Sequence, residues 1–224
     1  MCGRFTLTLD PGELQETLNL GAITFDYTPR YNIAPTQLVP VVRDAQTRKV
    51  ELFRWGLVPS WAKDISIGER LINARSETLG EKPSFRSAFA HRRCLILADG
   101  FYEWHLRAQN NPKVPYYFKL KSGKPFAFAG LWESWHSPKG DDLRTCTIIT
   151  CAANALVAEH HERMPVILPL NVQYSWLASQ TPAIELASLF ASYPPSDMVA
   201  YPVSKAVNSP ENDTIECIKA ILLA

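Results

Sequence analysis

No stretch of this sequence reaches about 18 consecutive apolar residues, so hydropathy offers no membrane-spanning helix. Its start shows no basic region leading into an apolar run, which excludes a secretory signal of the usual kind. Five cysteines make an odd number, and no C-x-x-C pair occurs among them. That argues against a disulfide framework and against a thiolate zinc site, and favours a reducing, cytosolic setting. Cys94, Cys146, Cys151 and Cys217 stand in apolar contexts and read as small buried hydrophobes. Charge of one sign is not in excess either, since 23 Lys and Arg face 22 Asp and Glu. A protein that coats duplex DNA non-specifically is usually far more basic, so any nucleic-acid binding must rest on a local arginine cluster. There is no G-x-x-x-x-G-K, no G-x-S-x-G and no dinucleotide fingerprint. Repeats, low-complexity tracts and linkers are missing too, which predicts one domain over residues 1–224.

What is present is a globular composition, with 46% hydrophobic and 20% charged residues across 224 positions. Seventeen prolines imply many turns and irregular connections. Cys2 to Leu9 alternates and reads as a strand. Asp10-Pro11-Gly12-Glu13 then signals a helix start that should run to about Leu20 and stop at Gly21. Tyr27 to Pro35 carries two prolines and is expected to be irregular. Leu38 to Arg43 and Lys49 to Trp55 form a hairpin, followed by an aromatic loop to Trp61. A helix is expected over Pro83 to Ala90, and a buried strand over Arg93 to Ala98. Strands follow over Phe101 to Leu106, Tyr116 to Lys121, Phe126 to Glu133 and Leu143 to Thr150. Asn154 should cap a helix over Ala155 to His160, Asn171 one over Val172 to Ala178, and Pro182 should open one over Ala183 to Ala191. Met198 to Val203 returns as a strand. Strands dominate the middle and helices the ends, so the fold class is α+β rather than repeating βαβ.

The chemistry begins at Met1-Cys2-Gly3-Arg4. Removal of Met1 would leave Cys2 with a free amine and a thiol on adjacent carbons. The amine can attack a carbonyl to form an imine, and the thiol can then add to the imine carbon and close a five-membered ring. Unperturbed, the amine titrates at about 7.7 to 8.0 and the thiol at about 8.5. Taken alone, a cysteine near a terminus is more often incidental.

Other residues are candidates to serve it. Arg4 shares a strand face with Cys2, where a guanidinium would favour a thiolate or grip a phosphate. Asn73, inside Leu71-Ile72-Asn73-Ala74-Arg75, must satisfy its amide, by local capping or by orienting a partner. Glu103 lies among Phe101, Tyr102 and Trp104. It is either desolvated, with a raised pKa suited to acid or base work, or set on the solvent face of an alternating strand. His161 sits in Glu159-His160-His161-Glu162-Arg163-Met164-Pro165, before a proline that ends the helix, and titrates near neutral pH. Adjacent histidines do not share a helix face, which excludes a two-His metal site there. Trp55, Trp61, Phe101, Tyr102 and Trp104, interleaved with Arg54, Arg75 and Arg163, form either core or a platform for single-stranded nucleic acid.

Six blocks occur in a fixed order: Met1-Cys2-Gly3-Arg4-Phe5, Arg30-Tyr31-Asn32-Ile33-Ala34-Pro35, the stretch from Arg54 to Trp61, Ile72-Asn73-Ala74-Arg75-Ser76-Glu77, Ala98-Asp99-Gly100-Phe101-Tyr102-Glu103-Trp104, and the stretch from His161 to Leu168. Together with Val203 to Asn208, the set closely resembles the SOS-response-associated peptidase (SRAP) family, the abasic-site shield proteins. The resemblance spans essentially the whole chain. It implies a single SRAP-type domain with a mixed or antiparallel sheet, or a barrel-like core, and flanking helices. It implies a monomer, cytoplasmic and nucleoid-associated on DNA, with no cofactor, no metal and no membrane partner. Its partner would be single-stranded DNA with abasic sites, including junctions with duplex. Its activity would be a thiazolidine DNA–protein crosslink, with self-processing peptidase and lyase-type reversal activities. Carried over by motif, Cys2 would attack the sugar aldehyde and Asn73 would orient the terminal group. Glu103 would assist ring opening and proton transfer, and His161, not His160, would exchange protons with the sugar oxygen. Arg4, Arg75 and Arg163 would contact phosphates, with Trp55, Trp61 and Pro35 near the kinked strand. The doubled histidine departs from a single one expected there. Two other readings compete: a class II glutamine amidotransferase, for which no Arg-Gly pair follows the start, and a non-catalytic single-strand-binding module in which Cys2 is dispensable.

Overall fold

The computed structural model describes residues 2–105, 113–137 and 140–222. In chain order the first elements are β1 (Phe5–Leu7), α1 (Pro11–Leu18), β2 (Arg30–Ile33), β3 (Leu38–Val42) and β4 (Val50–Trp55). Next come β5 (Asn73–Arg75), α2 (Arg86–His91), β6 (Arg93–Ala98), β7 (Gly100–His105) and β8 (Val114–Leu120). Two long strands follow, β9 (Phe126–His136) and β10 (Asp142–Ala152), then α3 (Ala155–Ala158), β11 (Arg163–Pro165) and β12 (Ile167–Leu168). The chain closes with α4 (Gln173–Leu177), α5 (Ala183–Ser188), β13 (Met198–Pro202) and short 3₁₀ turns. Leu106, the expected end of β7, lies outside the described residues, as does Met1.

Two sheets carry the α+β fold. One is ordered β13-β8-β7-β1-β2. In the other, β10, β4, β3, β6 and β9 pair in turn, and β9 pairs back onto β10 from Asp142↔His136 to Ile148↔Gly130. That return pairing closes a five-stranded barrel and leaves no edge among those strands. Phe5 joins the two units, meeting Trp55 edge-on at 5.1 Å and Phe128 at 5.7 Å inside one continuous core.

The link between barrel and sheet is Asp99-Gly100, between β6 and β7. Asp99 is buried and accepts hydrogen bonds from the Thr6 hydroxyl and from the Thr8 backbone and hydroxyl, pinning β1 to this corner. A Cβ on Gly100 would stand 2.2 Å from the Tyr117 hydroxyl oxygen, so only glycine fits. Gly21 is constrained in the same way, since a Cβ there would meet the Thr47 carbonyl at 2.1 Å.

Local signals place most elements. The Asp10 side chain accepts from the Gly12 and Glu13 amides at 2.9 and 3.1 Å, and Leu14 and Leu18 form the buried stripe of α1. That helix ends earlier than expected, at Asn19 in the left-handed region with φ 49°, and not at Gly21. Tyr27 to Pro35 is not wholly irregular: Arg30–Ile33 pairs with β1, and its two flanking prolines bound a short edge strand. Asn154 caps α3 through the Val157 amide, but α3 ends at Ala158, so both histidines lie beyond it. Asn171 caps nothing; a 3₁₀ turn over Leu170–Val172 precedes α4. Cys94, Cys146, Cys151 and Cys217 are free and buried. No helix among the described residues is long and apolar enough to cross a membrane.

Candidate active site around Cys2

Cys2 lies just before β1 and is fully buried. Strands β1 and β7 pair at Phe5↔Phe101 and Thr6↔Gly100, and the Tyr102 amide donates to the Arg4 carbonyl at 3.0 Å. Continuing that register sets Glu103 opposite Gly3, beside Cys2. From the barrel side, the Asn73 amide nitrogen donates to the Cys2 carbonyl at 2.8 Å. The two units of the fold therefore meet at Cys2.

Asn73 belongs to an apex at the end of β10. Ile148 pairs Gly130 of β9 on one edge and Asn73 of β5 on the other, while Thr150 pairs Pro165 of β11 and Arg75 of β5. Thus β5 and β11 take over the two edges of β10 where the barrel strands leave it. Paired residues share a sheet face, so Asn73, Arg75, Thr150 and Arg163 all project to the same side. Arg75 is exposed. Arg163 donates to both carboxylate oxygens of Glu77, at 2.6 and 2.9 Å, and to the Thr150 carbonyl at 2.6 Å. His161 stands two residues before Arg163, whose backbone amide donates to its Nδ1 at 2.9 Å. A neutral His161 with Nδ1 accepting carries its proton on Nε2.

Burial sets the charges. Glu103 is 3% exposed, and desolvation pushes its carboxyl up to about 7. Desolvation, then the nearby Glu103, pushes the Cys2 thiol far up, so it is held as S–H, which donates weakly to the Arg4 carbonyl at 3.7 Å. Burial lowers His161. Glu103 therefore occupies the buried position and not the solvent face of β7.

The structure separates the other candidates. His160 packs into aromatic rings, 4.1 Å from Tyr116 and 4.9 Å from His105 between centroids, so the doubled histidine divides into one packed ring and one beside Arg163. Arg4 donates to the Asn32 side chain and the Val207 carbonyl, both at 2.7 Å. Trp61 is 60% exposed and Pro35 half-buried. Trp55 is a correction: it is fully buried, with Nε1 donating to the Ile72 carbonyl at 2.9 Å, so its ring has no free face for stacking. Two residues went without a role at the sequence level. Glu77 sits at the end of a quoted block and faces Arg163 across 86 positions, which no local pattern displays. Asn32 ties β2 and Arg4 to the C-terminal segment. Among the described residues no three His, Cys, Asp or Glu side chains group as a metal site.

The fold and site together define a barrel-and-sheet α+β protein in which a buried cysteine next to the first residue meets an asparagine, a carboxyl raised toward neutrality and a histidine. The family model described as SOS response associated peptidase (SRAP) matches residues 1–210, and the chain belongs to that family. It is similar to Abasic site processing protein YoqW of Bacillus subtilis (strain 168), at 46% identity over 224 residues covering 98% of this chain and 100% of that one. It is 31% identical over 269 residues to Abasic site processing protein HMCES of Xenopus tropicalis, covering 100% of this chain and 79% of the relative. A crystal structure of a protein from Bacteroides thetaiotaomicron matches with a TM-score of 0.87 and 26% identity, over 98% of this chain and 100% of that one.

Proposed function

We propose that this protein processes abasic sites in single-stranded DNA by trapping the ring-opened sugar aldehyde on Cys2 after Met1 is removed. The observation that carries the reading is the buried Cys2 held by Asn73 at 2.8 Å, with Glu103 shifted to about 7 beside it. A carboxyl at that value is about half ionised at neutral pH, so it can both take and return a proton. Glu103 takes a proton from the Cys2 ammonium, and the neutral amine adds to the aldehyde carbon. Loss of water gives the imine, with Glu103 and the Nε2–H of His161 supplying the proton that leaves with the oxygen. The Cys2 thiol then adds across C=N: sulfur bonds to carbon, its proton passes to nitrogen, and a thiazolidine closes. The net change is loss of one water. A thiol held protonated by burial makes the amine the first nucleophile. Reversal runs the same steps backwards, and the peptidase activity named in the family description corresponds here to removal of whatever precedes Cys2.

Arg75 and Arg163 would take phosphates flanking the lesion, with Arg4 adding charge from within the fold. Trp61 offers an exposed ring for stacking, beside Pro35. The reading extends to single-strand and duplex junctions. It is tested by incubating Met1-free protein with single-stranded DNA bearing one abasic site and running a denaturing gel. A denaturant-resistant band that vanishes in Cys2→Ala, and with any residue retained before Cys2, is expected. No such band in the wild type would sink the reading.

A further inference from the structure

The apex of β10 holds polar atoms that the fold leaves without partners. Among the described residues, the Thr150 hydroxyl and the Asn73 Oδ1 are buried with no hydrogen-bond partner. Buried hydroxyls are nearly always paired, because an unpaired one forfeits its bonds to water for nothing. Both atoms project to the same face, from directly paired strands, two register positions apart on β10. The Asn73 nitrogen on that face already reaches Cys2. Thr147 also has a buried, unpaired hydroxyl, but it lies an odd number of residues from Thr150 and points to the opposite side of β10. Thr150 is also framed by two of the candidate phosphate ligands, Arg75 across one edge and Arg163 bonded to its carbonyl.

We infer that Thr150 is a substrate-contacting residue: its hydroxyl takes a hydrogen bond with an oxygen of the opened sugar held at Cys2. This rests on the crosslinking reading above. A hydroxyl suits the task because it donates and accepts by turning about one bond, and so can follow the sugar oxygen as ring opening converts it from an ether acceptor to a hydroxyl. Asn73 Oδ1, an acceptor only, would then receive the proton of a neighbouring sugar or amine group.

The test compares Thr150→Val, Thr150→Ser and wild type, all Met1-free, for crosslinking rate on abasic single-stranded DNA and for thermal midpoint. Valine keeps the shape and removes the hydroxyl, and its rate should fall about tenfold, the size of one lost hydrogen bond. Serine keeps the hydroxyl and should stay within about threefold of wild type. The midpoint of Thr150→Val should equal or exceed wild type, because the hydroxyl has no protein partner to lose. A wild-type rate in Thr150→Val overturns the inference alone. A lowered midpoint would also overturn it, by showing that the hydroxyl is bonded within the fold. No crosslink in the wild type overturns the crosslinking reading, and this inference with it.

Discussion

Two asparagines in quoted sequence blocks have opposite fates. Asn32 is fully buried, and its side chain is used up: Oδ1 accepts from Arg4, and Nδ2 donates to the carbonyls of Val207, Ser209 and Asn212. Around it Asp213 accepts from the Tyr31 and Asn32 amides and from Arg30, so the edge of β2 is covered by the C-terminal segment. Asn73 has one bond, to Cys2, and an unpartnered oxygen. In the first region every polar atom of the Asn32 side chain is bonded, and the knot holds β1 and the chain end together. The second is open-ended, with Thr150 and the Nε of Arg163 also unpaired nearby. A fully bonded side chain stabilises the fold, whereas open valences gathered on one face beside Cys2 can take a ligand.

The sharpest way to break this comparison is to truncate both asparagines. Asn32→Ala should cost about 3 to 4 kcal/mol in urea unfolding, since Arg4 and several carbonyls lose their partner together. Asn73→Ala should cost no more than about 1 kcal/mol, yet slow crosslinking about 100-fold. Equal stability losses at the two sites would dissolve the distinction.

Glu103 gives the next largest effect, with opposite signs for activity and stability. Its folded-state value, about 7, lies above the ordinary 4.5, so the unfolded chain gives up this proton first. Stability from this group is complete below about 4.5 and is lost as pH rises through about 7. Glu103→Gln should therefore gain stability over that window, by at most about 3 kcal/mol at pH 8, while crosslinking slows tenfold or more and its rise with pH through 7 disappears. Thermal melting at pH 5 and pH 8 reads the first part, and rate against pH the second.

Glu77 tests whether Arg163 is held for a phosphate. The carboxylate is 54% exposed at its side chain and grips Arg163 bidentately. Glu77→Gln should tighten binding of unmodified single-stranded DNA about threefold at low salt, an effect that fades as salt rises. Fluorescence anisotropy with Glu162→Gln as control separates this pairing from a general loss of negative charge, since only Glu77→Gln should lose its gain when Arg163 is also replaced. The smallest effect is expected at His160, where Phe should keep the ring packing and leave the crosslinking rate within about twofold, while His161→Gln slows it.

Much of the architecture was legible because it depends on residues close in sequence. The strand Arg93–Ala98, the hairpin of β3 and β4, the Asp10 and Asn154 caps and the apolar setting of four cysteines all follow from alternation, capping chemistry and hydropathy over a few positions. Failures came where a partner distant in sequence decided the outcome. Arg30–Ile33 is a strand because β1 and Asp213 satisfy its backbone, despite its prolines. Trp55 is core because Phe5 packs against it from the other sheet.

The sequence by itself determined a cysteine directly after Met1, with candidate partners for it, and blocks whose order resembles one family. It left Glu103 open between burial and solvent, and the packing of the doubled histidine unread, because alternation and adjacency do not report what packs from elsewhere. Tertiary structure decided those points. It brings Asn73 to Cys2 across 71 positions and buries Glu103 where sheet and barrel meet. Desolvation there moves a carboxyl to neutrality, and desolvation belongs to the whole fold rather than to any local stretch of chain.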